Sequence, residues 1–349
     1  MKYRYLGDSG LSVSRVCLGT MTFGMPDWGC DQETSSRITN RFIDAGGNFI
    51  DTADMYSNGV SEKMLGQAIR EHRREDLVIA TKCFFRTNKT ANAKGLSRKH
   101  VIEACEASLR RLGTDFIDLY QIHGPDPFTP VEETMKSLDD LIRKGAVRYI
   151  GCSNLFAWQI VKANGISERC GLYRFCSGQY LYNLIKRDIE REILPACRDQ
   201  GMGIICWSPL AGGFLTGKYP RSDTPESGSR IAHRAKVDIP RYWHDHGFNI
   251  TDAVADMAKE IGKTTSQVSL GWLLADPTVA SVIVGVRNAD QIEDNVAVGD
   301  WDLDPEIRGK LSEVADFDHG YPMDWVRVTY PSTFGDSERP PKSGGAHSV

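Results

Sequence analysis

The sequence predicts an α/β fold, a closed (β/α)8 TIM barrel with an N-terminal β-hairpin cap, and three features carry that reading. Strand and helix patterns alternate along most of the 349 residues, which argues for a parallel sheet. The strand-like runs number eight, which argues for closure. Four of them close on reactive or hydrogen-bonding residues: Asp51, Lys82, His123 and the pair Ser153-Asn154. A parallel barrel opens all its strand C-termini on one face, so such residues share a rim.

Taken in order, residues 3–13 read as a hairpin around glycine turn chemistry. The first barrel strand follows at 15–18, and the others fall at 49–52, 77–82, 116–122, 147–151, 175–179, 203–207 and 281–284. Between them the apolar spacing predicts helices at about 31–45, 60–72, 97–112, 130–144, 155–164, 190–200 and 250–261, and after the last strand at 304–316. Ser61 and Ser97 read as N-caps and Pro130 as a first-turn residue. Gly46, Gly113, Gly145, Gly201 and Gly262 mark helix ends. Helical strings TSQVSLGWLLAD and NADQIEDNVAV flank the last strand. Residues 208–248 lack periodicity and are rich in Gly, Pro, Ser and Arg, as a lid or binding loop would be. One barrel domain is expected over 1–317. A tail at 318–349 holds Tyr321, Trp325, Tyr330 and Phe334, and its last dozen or so residues read as disordered.

Composition narrows the function. A net charge of −4 offers no basic footprint for nucleic acid. Nine cysteines, odd in number and never in a C-x-x-C pair, speak against a disulfide framework or a structural zinc site. The start MKYRYLGDSG has no apolar leader core, and no apolar run approaches the ~20 residues that span a bilayer. A cytoplasmic protein with no membrane partner is expected, with homo-oligomerisation left open. His244 and His246 lack a third fixed ligand, so no metal is expected.

The rim residues suggest proton chemistry. A free tyrosine titrates near 10, high for a general acid, but an ammonium beside it favours the phenolate. Lys82 would supply that charge to Tyr56, Asp51 would hold the lysine, and His123 would donate to a carbonyl oxygen as negative charge develops there.

The strings NFIDTADMYSNGVSEKMLGQAI, VIATK, SLRRLGTDFIDLYQIHGPD, VRYIGCSN and WSPLAGGFLTGKY strongly resemble the aldo-keto reductase superfamily over about residues 3–317. DPFTPVEETMKSLDDLIRKGAVRYIGCSN places the likeness nearest the branch of potassium-channel β subunits and related bacterial reductases. The resemblance implies a catalytic tetrad of Tyr56, Lys82, Asp51 and His123. It also implies NADP(H) bound without a Rossmann fold, and no G-x-G-x-x-G string is present. Ser153, Asn154 and Gln179 match carboxamide-binding positions, and Trp207 matches the one that stacks on the nicotinamide. Ser208, Leu210, Gly213, Thr216, Gly217 and Lys218 match the pyrophosphate loop. Ser229 and Arg230 are expected to fold over the cofactor. Gly285, Arg287, Gln291, Asp294 and Asn295 match the adenosine end, where a helix start near Asn288 would face the 2′-phosphate. A lysine common just after the last strand is replaced here by Gly285-Val286. Arg287 is the cation left for that phosphate, so NADP(H) is favoured and NAD(H) stays open.

The expected reaction is reduction of a ketone or aldehyde. The alternatives are an alcohol or sugar dehydrogenase, and a cofactor-sensing subunit of a membrane protein. Met21, Phe23, Trp28, Phe84, Phe85, Phe128 and Tyr182, all in loops placed on the catalytic face, are the expected substrate walls. So many aromatic residues imply a bulky or cyclic substrate.

Overall fold

A short antiparallel hairpin, β1 (Tyr3–Tyr5) and β2 (Ser12–Ser14), precedes the barrel in the computed structural model, which describes residues 1–222 and 224–335. Eight parallel strands close on themselves: β3 (Val16–Gly19), β4 (Phe49–Asp51), β5 (Val78–Cys83), β6 (Ile117–Ile122), β7 (Val147–Ser153), β8 (Phe175–Leu181), β9 (Gly203–Trp207) and β10 (Val279–Val284), the last pairing with β3. Outside them run α1 (Gln32–Asp44), α2 (Val60–Ala68), α3 (Arg98–Leu112), α4 (Val131–Arg143), α5 (Ala157–Cys170) and α6 (Ile193–Asp199). Then come α7 (Arg230–His233), α8 (Ala235–Tyr242), α9 (Asp245–Glu260), α10 (Thr265–Leu274), α11 (Asp290–Val296) and α12 (Pro305–Val314).

The barrel is filled from the bottom. Leu6 and Val13 of the hairpin are wholly buried and pack with Cys17, Phe49, Leu119, Ile205 and Ala280, so the hairpin plugs the N-terminal end. Gly7, at φ +60°, lies where a Cβ would come within 2.4 Å of the Gly201 carbonyl oxygen, so only glycine fits this turn. A second, larger apolar layer lies between strands and helices. Side chains alternate along each strand. In β5, Val78 and Ala80 join the apolar plug, and Lys82 continues the same face at the top of the barrel.

The helix signals hold with two exceptions. Asp31 and Ser97 accept from the Thr34 and His100 backbone N–H groups. Gly113 ends α3 in the left-handed conformation, φ +66°. Ser61 is not a cap. A left-handed turn through Ser57, Asn58 and Gly59 starts α2 earlier, and the Ser61 hydroxyl bonds the Thr20 carbonyl at 2.7 Å. The second exception is the 208–248 segment, which contains α7, α8 and the start of α9. The short helices bury Ile231, Asp238 and Tyr242, and His244 caps α9 through Nδ1. Pro240 inside α8 and Gly247 inside α9 hid this periodicity, and burial overrode their local preference.

The chain divides into compact units Met1–Ala315 and Asp316–Val349. The second carries a helix, α13 (Met323–Phe334). The expected disorder of the final dozen or so residues lies outside the described residues.

One packing constraint is testable. In α2, a Cβ on Gly66 would stand 2.4 Å from the Leu112 carbonyl oxygen at the end of α3. Alanine improves helix propensity by about 1 kcal/mol, but a backbone carbonyl cannot rotate away, and overpacking costs about 1–3 kcal/mol. Gly66→Ala should therefore lower the urea midpoint. An unchanged midpoint would mean that α2 and α3 separate freely.

Candidate active site

At the C-terminal end of the barrel the inward faces of four strands bring polar groups together. Lys82 of β5 is wholly buried; its Nζ lies 2.5 Å from Asp51 Oδ1 on β4, 2.7 Å from the Thr52 carbonyl and 3.4 Å from the Tyr56 hydroxyl. The second oxygen of Asp51 accepts from Gln121 Nε2 of β6 at 3.1 Å and Gln179 Nε2 of β8 at 2.8 Å. Burial is the largest influence and opposes the lysine charge, but Asp51 and Tyr56 together outweigh it and the ammonium is held more firmly than usual. Tyr56 departs from expectation. Burial raises its pKa and Lys82 offsets only part of that, so the phenol stays protonated at neutral pH.

His123 follows β6, and its ring lies 6.0 Å from that of Tyr56 and 4.9 Å from Phe85. Burial, and then the Lys82 charge, hold its pKa well below the usual value, so the imidazole is neutral. Its Nδ1 has no hydrogen-bond partner among the described residues.

These groups floor a cavity of about 710 Å3 lined by Asp51, Tyr56 and His123. Ser153, Asn154, Gln179 and Trp207 stand together on its wall. Ser153 Oγ donates to the Gln179 carbonyl, Asn154 Nδ2 to the His123 carbonyl, and Trp207 Nε1 to Asn154 Oδ1. Ser208, Leu210, Gly213, Thr216, Lys218 and Arg230 line the next sector, then Gly285, Arg287, Gln291, Asp294 and Asn295. Lys218, Arg230 and Arg287 make no ion pair among the described residues. Burial and then the charges of Arg287 and Arg230 depress the Lys218 pKa, and Arg230 Nε is buried without a hydrogen-bond partner among the described residues. Three uncompensated cations beside the left-handed glycines Gly212 and Gly213 fit a polyanionic cofactor of the nicotinamide dinucleotide type.

Several expected residues lie elsewhere. Gly217 ends a short helical turn, against Thr265, outside the cavity lining. Ser229 caps α7, its hydroxyl accepting from the Ala232 N–H. Asn288 accepts from the Gln291 N–H, so the start of α11 already has a cap. Asp294 lines the cavity, but its carboxylate is taken up by Thr264 and Gln267. Met21, Trp28 and Phe85 line the cavity as expected, whereas Phe23, Phe84, Phe128 and Tyr182 do not. Phe23 is buried in the core, and Phe84 packs on the core and on the Phe85 ring. Phe128 is exposed because Asp126 ties its loop back through the Phe128 N–H. Tyr182 is buried against Trp272, with its hydroxyl on Glu190.

The sequence reading overlooked Gln121, Met25, Met55, Arg234 and Asp238, of which all but Gln121 line the cavity. Gln121 had a signal: it stands two residues before His123 in a strand and pairs in register with Lys82. It also overlooked a buried layer under the Tyr56 turn. Thr81 Oγ1 donates to Glu62 Oε1 at 2.6 Å, and Arg111 Nε to Glu62 Oε2 at 2.6 Å. Asp54 lies nearby with neither carboxylate oxygen bonded among the described residues, and burial, reinforced by Glu62, raises it to about 7.

The family model for the aldo/keto reductase family matches residues 15–316. An uncharacterised oxidoreductase of Bacillus subtilis (strain 168) is 37% identical over 324 residues, covering 90% of this chain and 96% of that protein. A probable voltage-gated potassium channel subunit beta of Arabidopsis thaliana is 38% identical over 320 residues, with the same coverage of 90% and 96%. Versiconal hemiacetal acetate reductase of Aspergillus parasiticus is 37% identical over 339 residues, again covering 90% and 96%.

Asp54 supplies a pH test. Its folded-state pKa, about 7, lies above the ordinary 3.8, so between those values the folded protein holds the proton more tightly than the unfolded chain. The resulting stability is fully present below 3.8 and is lost as pH rises to about 7, at roughly 1.4 kcal/mol per pH unit. Asp54→Asn mimics the neutral acid. It should unfold at higher urea than the wild type at pH 8 and match it near pH 4. Equal midpoints at pH 8 would show that Asp54 ionises freely.

Proposed function

The chain belongs to the aldo/keto reductase family, and on that footing we propose that it reduces a ketone or aldehyde to the alcohol with NADP(H), Tyr56 serving as the general acid. The observation that carries the reading is the linked set beneath the cavity: Asp51 on Lys82 at 2.5 Å and Lys82 on the Tyr56 hydroxyl at 3.4 Å. When bound, the nicotinamide cofactor supplies the hydride that the carbonyl carbon accepts. Ser153, Asn154 and Gln179 would hold its carboxamide, Trp207 would offer an aromatic face, and Lys218, Arg230 and Arg287 would neutralise its phosphates.

The rest falls to this chain's own groups. The phenol of Tyr56 carries its proton at neutral pH and gives it to the carbonyl oxygen as that oxygen becomes alkoxide-like. Lys82 stabilises the phenolate left behind, and Asp51, gripped by Gln121 and Gln179, keeps the ammonium in place. A neutral His123 can donate one hydrogen bond to the same oxygen without placing a second cation beside Lys82. The raised phenol pKa favours reduction, because oxidation needs Tyr56 as phenolate, which burial resists. Arg287 is the cation assigned to the 2′-phosphate, since the α11 start is already capped. A panel of carbonyls and alcohols run with NADPH and NADH tests the assignment.

Tyr56→Phe removes the proton donor and keeps the ring. Steady-state kinetics should show kcat lower by at least the roughly hundredfold typical of a general acid, with NADPH binding retained. Near-normal turnover would take Tyr56 out of the mechanism.

Arg287→Ala should weaken NADPH binding by about 1.5–3 kcal/mol, the range for a charged hydrogen bond, and leave NADH nearly unaffected in fluorescence titrations. Equal loss for both cofactors would mean that Arg287 acts through the fold.

A further inference from the structure

The charged residues of the cavity can be matched one by one to partners, and one guanidinium keeps two nitrogens free after its match. Asp51 is matched by Lys82, and Asp294 is bonded to Thr264 and Gln267. In the function proposed above, on which this inference rests, Lys218, Arg230 and Arg287 answer the cofactor phosphates. Arg234 and Asp238 remain. Both line the cavity, Asp238 nearly fully buried and Arg234 about one-third exposed. Arg234 Nε donates to Asp238 Oδ2 at 3.2 Å, an (i, i+4) pair along α8. The two terminal nitrogens of Arg234 make no hydrogen bond among the described residues.

Arg234 stands one turn after Arg230 and within reach of its charge, and what distinguishes it is its carboxylate partner Asp238 and its reach to Tyr56. Arg230, one turn earlier, lies over the Trp28 ring at 5.6 Å, so this short helical segment reaches from the loop after β9 to the loop after β3. Arg234 lines the cavity one turn further along the same segment. Its charge is felt at the Tyr56 phenol, where with Lys82 it opposes the larger effect of burial. The walls there are Met21, Met25, Trp28, Met55 and Phe85, which apart from the Trp28 indole N–H offer an acyl or aryl body nothing to hydrogen-bond. A guanidinium tied at Nε by a buried carboxylate keeps its other two nitrogens for a planar, bidentate anion.

We propose that Arg234, oriented by Asp238, is a specificity-determining residue, and that this reductase takes carbonyl compounds whose apolar, preferably aromatic, body carries a carboxylate. Asp238 is the positioning residue of the pair. Coulombic attraction is worth more in a water-poor cavity than in bulk solvent, so charge should tell in KM more than in kcat.

The test compares 4-carboxybenzaldehyde with methyl 4-formylbenzoate, which is close to it in shape and lacks the charge; the ester withdraws electrons more strongly and makes its aldehyde the more reactive, so intrinsic reactivity works against the expected preference. In the wild type with NADPH, kcat/KM should favour the carboxylate by roughly ten- to hundredfold, the scale of a charge-assisted hydrogen bond. Most of that difference should lie in KM, and it should shrink with added salt. In Arg234→Gln the ratio should fall to about one, while Arg234→Lys should keep part of it. No preference in the wild type, or the same preference in Arg234→Gln, would overturn the proposal. So would an equal loss for both aldehydes with weakened NADPH binding, which would assign Arg234 to the cofactor. If neither aldehyde is reduced, the reductase reading fails on its own. The subsite is then judged by quenching of tryptophan fluorescence in the NADPH-loaded protein, where equal affinities for the acid and the ester would overturn it.

Discussion

Burying the Lys82 ammonium is the constraint on which the rest of this structure depends. An isolated charge moved into a barrel interior loses several kcal/mol of solvation after relaxation, and one carboxylate rarely restores it. Here the compensation is shared. Asp51 and the Thr52 carbonyl take the ammonium hydrogens, and Gln121 and Gln179 satisfy the far oxygen of Asp51. Four strands, β4, β5, β6 and β8, are joined by this one polar layer. It rests on the apolar plug built from the hairpin and the lower barrel. The same contacts that make the charge tolerable fix its distance to Tyr56, so the proposed proton-donating centre and the seal of the barrel are one object.

A second buried layer governs where Tyr56 itself sits. The chain leaves β4, crosses the Lys82 carbonyl through the Asp54 N–H, and enters α2 by way of Ser57 and Asn58 at φ +48° and +53°. Non-glycine residues rarely hold that conformation without support. Support comes from Ser61 on Thr20, from the Ser57 hydroxyl on the Phe23 carbonyl, and from Glu62, which joins α2 to Thr81 of β5 and Arg111 of α3. Phe23 thus serves the site from the core, through its carbonyl. The outward face of β5 anchors the turn while its inward face carries Lys82, so one strand sets both ends of the Lys82–Tyr56 contact.

Charge is distributed differently on the other side of the mouth. Lys218, Arg230 and Arg287 raise each other's energy until an anion arrives, and two of them lie on the segment that folds over the cavity. Binding a dinucleotide relieves that repulsion, and the folded state gains the binding free energy. Arg234 stands apart because Asp238 already balances its charge.

The sequence by itself determined the barrel, the order of its strands and the groups at their ends. Period-two apolar runs, helix caps and terminal glycines are local signals, and a parallel strand ending on Asp51, Lys82 or His123 has one face on which to present it. The residues of the cavity wall that were expected to hold the cofactor were legible for the same reason, since most sit at or just beyond strand ends. Only the tertiary structure decided which loop residues reach the cavity. Phe23 and Tyr182 turned into the core and Phe128 into solvent, because a loop side chain goes where neighbouring elements leave apolar space, and no periodicity records that. The helices α7 and α8 were equally hidden, since their order comes from burying Ile231 and Tyr242 against distant residues. The protonation of Tyr56 was decided there too: the residue names supply the nearby ammonium, but only burial shows that desolvation outweighs it.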